Sequence, residues 1–118
     1  MIDKIITRLK TGAIKNVYEF GTTTEKKIPY IIVKGEKDPL NRGRIFRVFV
    51  HMPPGQQIVL EDYVFNTLST LLPDQYKVES RNGNTVELLQ TQEWSDTITN
   101  DDGTISMERS FMMPLLLF

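Results

Sequence analysis

An α+β fold, with two helices packed on a mostly antiparallel sheet, is predicted from three features of this 118-residue chain. Two segments, Ile2–Leu9 and Leu60–Leu72, place apolar residues at helical spacing. Between and after them come short runs rich in Val, Ile, Phe and Tyr, the composition of strands. Turn signals at Asn82-Gly83 and Asn100–Gly103 separate the later runs at hairpin distance. No internal repeat and no linker interrupts the order, so one domain is expected over residues 1–118.

The first helix rests on Ile2, Ile5, Ile6 and Leu9, an i, i+3, i+4, i+7 stripe. Asp3 near its start and Lys10 near its end both suit the helix dipole, and Gly12 is the expected stop. Val17–Phe20 reads as a short strand, and Gly21–Lys27, rich in Thr and Lys, as a loop. Tyr30–Val33 is a continuous β-prone run, as in a central strand. Pro29 stands at its entrance, where a missing donor does least harm. Gly35–Gly43 contains Asp38-Pro39 and Asn41-Arg42-Gly43 and reads as a connecting loop. In the strand Arg44–His51, Phe46, Val48 and Val50 share one face; Ile45, Arg47, Phe49 and His51 share the other.

Pro53-Pro54-Gly55 ends that strand. The second helix is expected from about Val59 to Leu72, with Pro73 as its stop. Leu60, Tyr63, Val64, Leu68, Leu71 and Leu72 form its inward stripe, and Glu61, Asp62, Asn66 and Ser69 its outward side. Tyr76–Arg81 and Asn84–Thr91 flank Asn82-Gly83 as a hairpin. A second hairpin joins Trp94–Ile98 to Ile105–Met113. In its last strand Ile105, Met107, Arg109, Phe111 and Met113 alternate with Ser106, Glu108, Ser110 and Met112.

Composition removes several kinds of chemistry. With no cysteine, disulfides, thiolate catalysis and Cys-ligated zinc are excluded, which is consistent with a reducing compartment. Lys4, Arg8 and Lys10 interrupt the early apolar residues, so no signal-peptide core is expected, and no run reaches the roughly 20 apolar residues of a membrane span. His51 is the only histidine and reads as a packed or surface residue. Asp96, Asp101, Asp102 and Glu108 lack the spacing of a calcium loop and read as a solvated turn. No Gly-x-Ser-x-Gly elbow and no phosphate-binding glycine loop occurs. No catalytic residue, metal or cofactor is expected, and the chain is not read as an enzyme.

The net charge of −1 conceals a split. Residues 1–50 carry eleven Lys or Arg against five Asp or Glu, giving +6, and residues 51–118 carry three against ten, giving −7. Such a division favours contact between unlike faces, within one molecule or between copies. Arg42, Arg44 and Arg47 lie beside Phe46 and Phe49, with Lys37 just before them. They are candidates for contact with an acidic neighbouring subunit or with nucleic-acid phosphates. Met112, Met113, Leu115, Leu117 and Phe118 form an unusually apolar run, read either as the last core strand or as part of an interface.

The order of these elements resembles the small tail terminator, or tail completion, proteins of long-tailed bacteriophages. The residues that carry the resemblance begin with the helix Ile2–Leu9, the strand PYIIVK at Pro29–Lys34 and the strand IFRVFVH at Ile45–His51. The helix Leu60–Leu72 follows, then the β-rich end with ERSFMMP at Glu108–Pro114. It covers most of the chain as a pattern of elements. It implies a structural virion protein that forms a ring, commonly of six copies, on the head-proximal end of the tail tube. Such a ring ends tube growth and joins the tail to the head-side connector.

The partners so implied are other copies of the chain, the major tail tube protein, the head-side connector protein and, non-specifically, DNA in the channel; no membrane is involved. The implied location is the virion tail or neck, after assembly in the host cytoplasm. Lys37, Arg42, Arg44 and Arg47 then become candidates for inter-subunit or DNA-facing contacts, and Gly21–Lys27 and Gly35–Gly43 for loops that reach the tube or connector. A head–tail connector or stopper protein of the neck fits the same features. A small nucleic-acid-associated binding module is the alternative of another class.

Overall fold

The structure is a computed structural model that describes residues 2–22, 25–37, 40, 43–79, 83 and 85–114, without the side chains of residues 91–93. It has the expected α+β architecture. The strands are β1 Val17–Glu19, β2 Tyr30–Lys37, β3 Gly43–Met52, β4 Tyr76–Glu79, β5 Thr85–Trp94, β6 Ile98–Thr99 and β7 Ile105–Pro114. Helix α1 spans Ile2–Leu9. Helix α2 covers residues 57–71 in three consecutive pieces: Gln57–Asp62, a widened π turn at Tyr63–Thr67, and Leu68–Leu71.

The sheet runs β1-β2-β3-β7-β5-β4, with β6 paired to β7. β1 is parallel to β2, and the remaining pairs are antiparallel. Side chains alternate across each strand, so one face of the sheet supplies Ile31, Val33, Phe46, Val48, Val50, Met107, Phe111 and Met113 to the core. Ile5 and Leu9 of α1 join the same buried cluster, as do Leu60, Tyr63, Val64, Leu68, Leu71 and Leu72 of α2. Every residue of the inward stripe expected for α2 is therefore buried.

Three expectations are corrected. The segment Gly35–Lys37 belongs to β2 rather than to a loop, because pairing with β3 continues through Gly35↔Phe46, Glu36↔Ile45 and Lys37↔Arg44. A Cβ at Gly35 would stand 3.4 Å from Cε1 of Phe46, so the missing side chain leaves room for that ring. Trp94–Ile98 is not one strand: Trp94 ends β5, and Ile98–Thr99 forms a separate short strand. Between them the Ser95 amide donates to the Glu108 oxygen at 2.9 Å, and the Glu108 amide donates to Ser95 Oγ at 2.9 Å. A side chain has taken the place of one ladder contact there. Ser69 is not wholly on the outward side: it is half-buried and accepts a bond from Arg109.

The strand pairs on either side of both expected turns are present. β4 and β5 pair from Tyr76↔Leu88 to Glu79↔Thr85, with Gly83 at φ +81°, while Asn82 lies outside the described residues. At the other turn the Gly103 amide donates to the Asn100 oxygen at 3.0 Å, and φ is +86°, which suits glycine.

Candidate functional site

The basic residues of the β2–β3 hairpin are divided by the pleat. Lys37 and Arg44 are direct cross-strand partners, and both are exposed. Like charges directly opposite each other repel. Among the described residues no carboxylate forms an ion pair with either. Arg47 points to the opposite face of β3. Its Nε lies 3.1 Å from Glu36 Oε2 and its Nη1 2.9 Å from Glu108 Oε1. Lys34 Nζ adds a contact to Glu36 at 3.2 Å. The hydrogen bond from Arg47, then that from Lys34, holds the Glu36 carboxyl below its usual range. Bonds to Glu108 and Glu36 push the Arg47 guanidinium up. Arg47 therefore ties β2, β3 and β7 together, whereas Lys37 and Arg44 carry charge outward. Arg42 lies outside the described residues.

Arg109 forms a second polar centre, on the core side of β7. It is 6% exposed. Its Nη1 donates to the Val64 oxygen at 2.9 Å and to Ser69 Oγ at 2.6 Å, and its Nη2 donates to Gln90 Oε1 at 3.3 Å. Its Nε finds no partner, and the guanidinium lies 5.4 Å from the centre of the Phe111 ring. Burial alone pulls its pKa down. An arginine stays charged even so, and here the dipoles of helix carbonyls replace a carboxylate. The Val64 oxygen lies inside the π turn, where widening changes the usual carbonyl pairing. Arg109 thus positions α2 on the sheet.

His51 stacks on Tyr30 with ring centres 4.4 Å apart and planes at 18°, and Tyr18 adjoins Tyr30 at 6.3 Å. Burial, then the Lys26 charge, lowers the His51 pKa, while Asp102 opposes the shift. Asp102 accepts from the Thr104 amide at 3.0 Å, so it braces the Asn100–Gly103 turn. Among the described residues no group of three His, Asp or Glu could hold a metal. An open depression of about 180 Å³ is lined by Arg47, Trp94, Ser95, Glu108 and Ser110. Its cation and carboxylate already bind each other.

The apolar candidates also separate. Met113 is buried in the core and Met112 is half-buried on the other face, while Leu115, Leu117 and Phe118 lie outside the described residues. One pair had not been singled out from the sequence. Phe65 of α2 and Trp94 of β5 meet edge to face, 5.3 Å between centres, with 37% and 48% of their surfaces exposed. The available signal was that Trp94 is the only tryptophan of the chain.

No protein-family model and no curated protein matches this chain. A solved protein structure superposes on it with a TM-score of 0.64, covering 98% of this chain and 92% of the other at 16% identity. A likeness at that identity shows the fold alone: a second, divergent sequence adopts the same arrangement. Among the described residues no helix is long and apolar enough to cross a membrane.

Proposed function

We propose that the chain is a structural subunit that joins copies of itself head-to-tail in a closed ring. This ring would end the tail tube of a long-tailed phage on its head-proximal side and face the head connector. The observation that carries the reading is the way the sheet divides the charge. α1, β1, β2 and nearly all of β3 come from residues 1–50, at +6, whereas α2, β7, β6, β5 and β4 come from residues 51–118, at −7. In the order β1-β2-β3-β7-β5-β4 these halves do not interleave. A subunit with a basic and an acidic half complements a copy of itself through two different surfaces. Contacts of that heterologous kind generate rings when the rotation closes.

The assignment to tail termination rests on the resemblance in element order. In that role the ring meets the major tail tube protein on one side and the connector on the other, within the virion. Electron microscopy of purified tail tubes incubated with the chain tests it. Rings seated on one end of each tube are expected. Tubes left bare by an assembled chain would move the ring to the connector or stopper position; tubes left bare by a monomeric chain would remove the reading.

Lys37 opposite Arg44 favours a second reading, contact with a polyanion. Two facing cations without a described acidic partner gain most from an external negative charge. DNA in a channel would supply it. The measurement is the slope of DNA affinity against salt, for the wild-type chain and for Arg44→Ala.

A further inference from the structure

The middle of α2 holds one residue more than a regular helix would, and a side chain of the sheet bonds the carbonyl that this leaves. In a regular helix the Val64 oxygen accepts from the Leu68 amide. Here the Leu68 amide donates to the Tyr63 oxygen, five residues back. The Val64 oxygen goes to Arg109, whose Nη1 donates to it at 2.9 Å and reaches the Phe65 oxygen at 3.5 Å. Two hydroxyls serve the neighbouring carbonyls. Ser69 Oγ donates to the Phe65 oxygen at 2.7 Å and Thr70 Oγ1 to the Asn66 oxygen at 3.1 Å. Of these three donors, Arg109 alone comes from outside the helix.

The two flanks of the turn are held unequally. After it, Leu68, Leu71 and Leu72 are buried, and the Leu71 oxygen accepts from Arg8 Nε at 2.8 Å. Before it, the piece Gln57–Asp62 buries only Leu60 and has no side-chain cap. Ile58 is 82% exposed there and Val59 52%. Gly55, just upstream, has open space around it, so the chain leading into the helix has slack.

We propose that α2 has two registers and that Arg109 is the positioning residue that selects the wide one. This is independent of how copies assemble. Without a donor for the Val64 oxygen, the turn closes to the ordinary four-residue pattern. The weakly held first piece then advances by one residue, about 1.5 Å along the axis and about 100° around it. Val59 enters the place of Leu60, one apolar side chain for another. Asp62 enters the buried place of Tyr63, which disfavours the narrow register while Arg109 is present. Phe65 passes to the place of Asn66 and leaves its edge-to-face contact with Trp94. The bond from β7 to Val64 thus decides which side chains the first half of α2 presents.

Thiol labelling reads the register, because the chain has no cysteine of its own. The probe is Val59→Cys, reacted with iodoacetamide. In the Arg109→Met background, which keeps a long side chain but no donor, labelling is expected to slow about tenfold or more as position 59 becomes buried. A merely loosened fold would quicken it. Deleting Asn66 as well makes the Leu68-to-Tyr63 bond an ordinary four-residue one with both flanks in their original places. Labelling of that double variant should return to the rate of the parent with Arg109.

A folded Arg109→Met that labels at the parent rate or faster overturns the two registers. So does a double variant that stays protected. If Arg109→Met alone does not fold, the deletion is expected to restore the circular dichroism spectrum, since the helix then closes without slipping. A double variant that remains unfolded overturns the proposal equally.

Discussion

Arg109 donates through Nη1 to the main-chain oxygen of Val64 at 2.9 Å, binding the last strand to the widened turn of α2. The same nitrogen reaches Ser69 Oγ, which itself donates to the Phe65 oxygen at 2.7 Å. Gln90 extends the set, accepting from Arg109 and donating to the Leu72 oxygen at 3.0 Å. Residues from α2, β5 and β7 thus share one network. Arg109→Ala removes its bonds and opens space beneath Phe111, and is expected to lower stability by about 2–4 kcal/mol. Arg109→Lys keeps the charge but not the planar fork and should lose much of the same amount. Urea unfolding measures both; a midpoint unchanged in Arg109→Ala would mean that the network does not stabilise the fold.

Stability should fall as pH falls through the histidine range. Burial, helped by Lys26, holds His51 below its ordinary 6.5, so the unfolded chain takes up this proton more readily than the folded one. The stability associated with neutral imidazole is fully present above the unfolded value and is lost as pH falls toward the folded one. His51→Gln is expected to flatten the stability profile between about pH 7 and pH 5. Glu36 and Asp102 are also held low, from ordinary values of 4.5 and 3.8, so their losses come at more acidic pH. An equally steep profile in His51→Gln would assign the slope to another group.

Arg47 and Arg44 should behave differently despite their proximity in sequence. Arg47→Glu breaks contacts to Glu36 and Glu108 and sets three carboxylates together, with an expected loss of at least about 1 kcal/mol. Arg44→Glu relieves the repulsion from Lys37 and is expected to leave stability equal or slightly higher. Arg44 is therefore the clean site for testing assembly, and Arg47 is not. Thermal melts of the two variants decide; equal melting temperatures would contradict the division.

Much of this was legible in the sequence because burial follows period. Phe46, Val48 and Val50 alternate with half-exposed partners, and Ile105, Met107, Phe111 and Met113 lie on the core face as their spacing requires. The α2 stripe was equally clear. The π turn was not, since inserting one residue into a helix leaves no mark in composition. Arg109 looked like a polar interruption of an apolar face; only the location of Val64 and Ser69 in space gives it partners. The basic cluster divides in space, because residues three apart on a strand point to opposite faces, which puts Arg44 and Arg47 on different surfaces. The Phe65–Trp94 pair joins elements far apart in the chain, and local pattern carries no such information.

Sedimentation of the wild-type chain across a range of concentrations, at low and at high salt, addresses self-assembly most directly. A ring closed through opposite charges should appear as one oligomer of fixed size that dissociates as salt rises, since exposed charges are screened beyond about 10 Å at 0.1 M salt. A chain that sediments as a monomer throughout, and under the same conditions binds DNA with an affinity falling steeply with salt, would contradict the ring and favour the nucleic-acid reading.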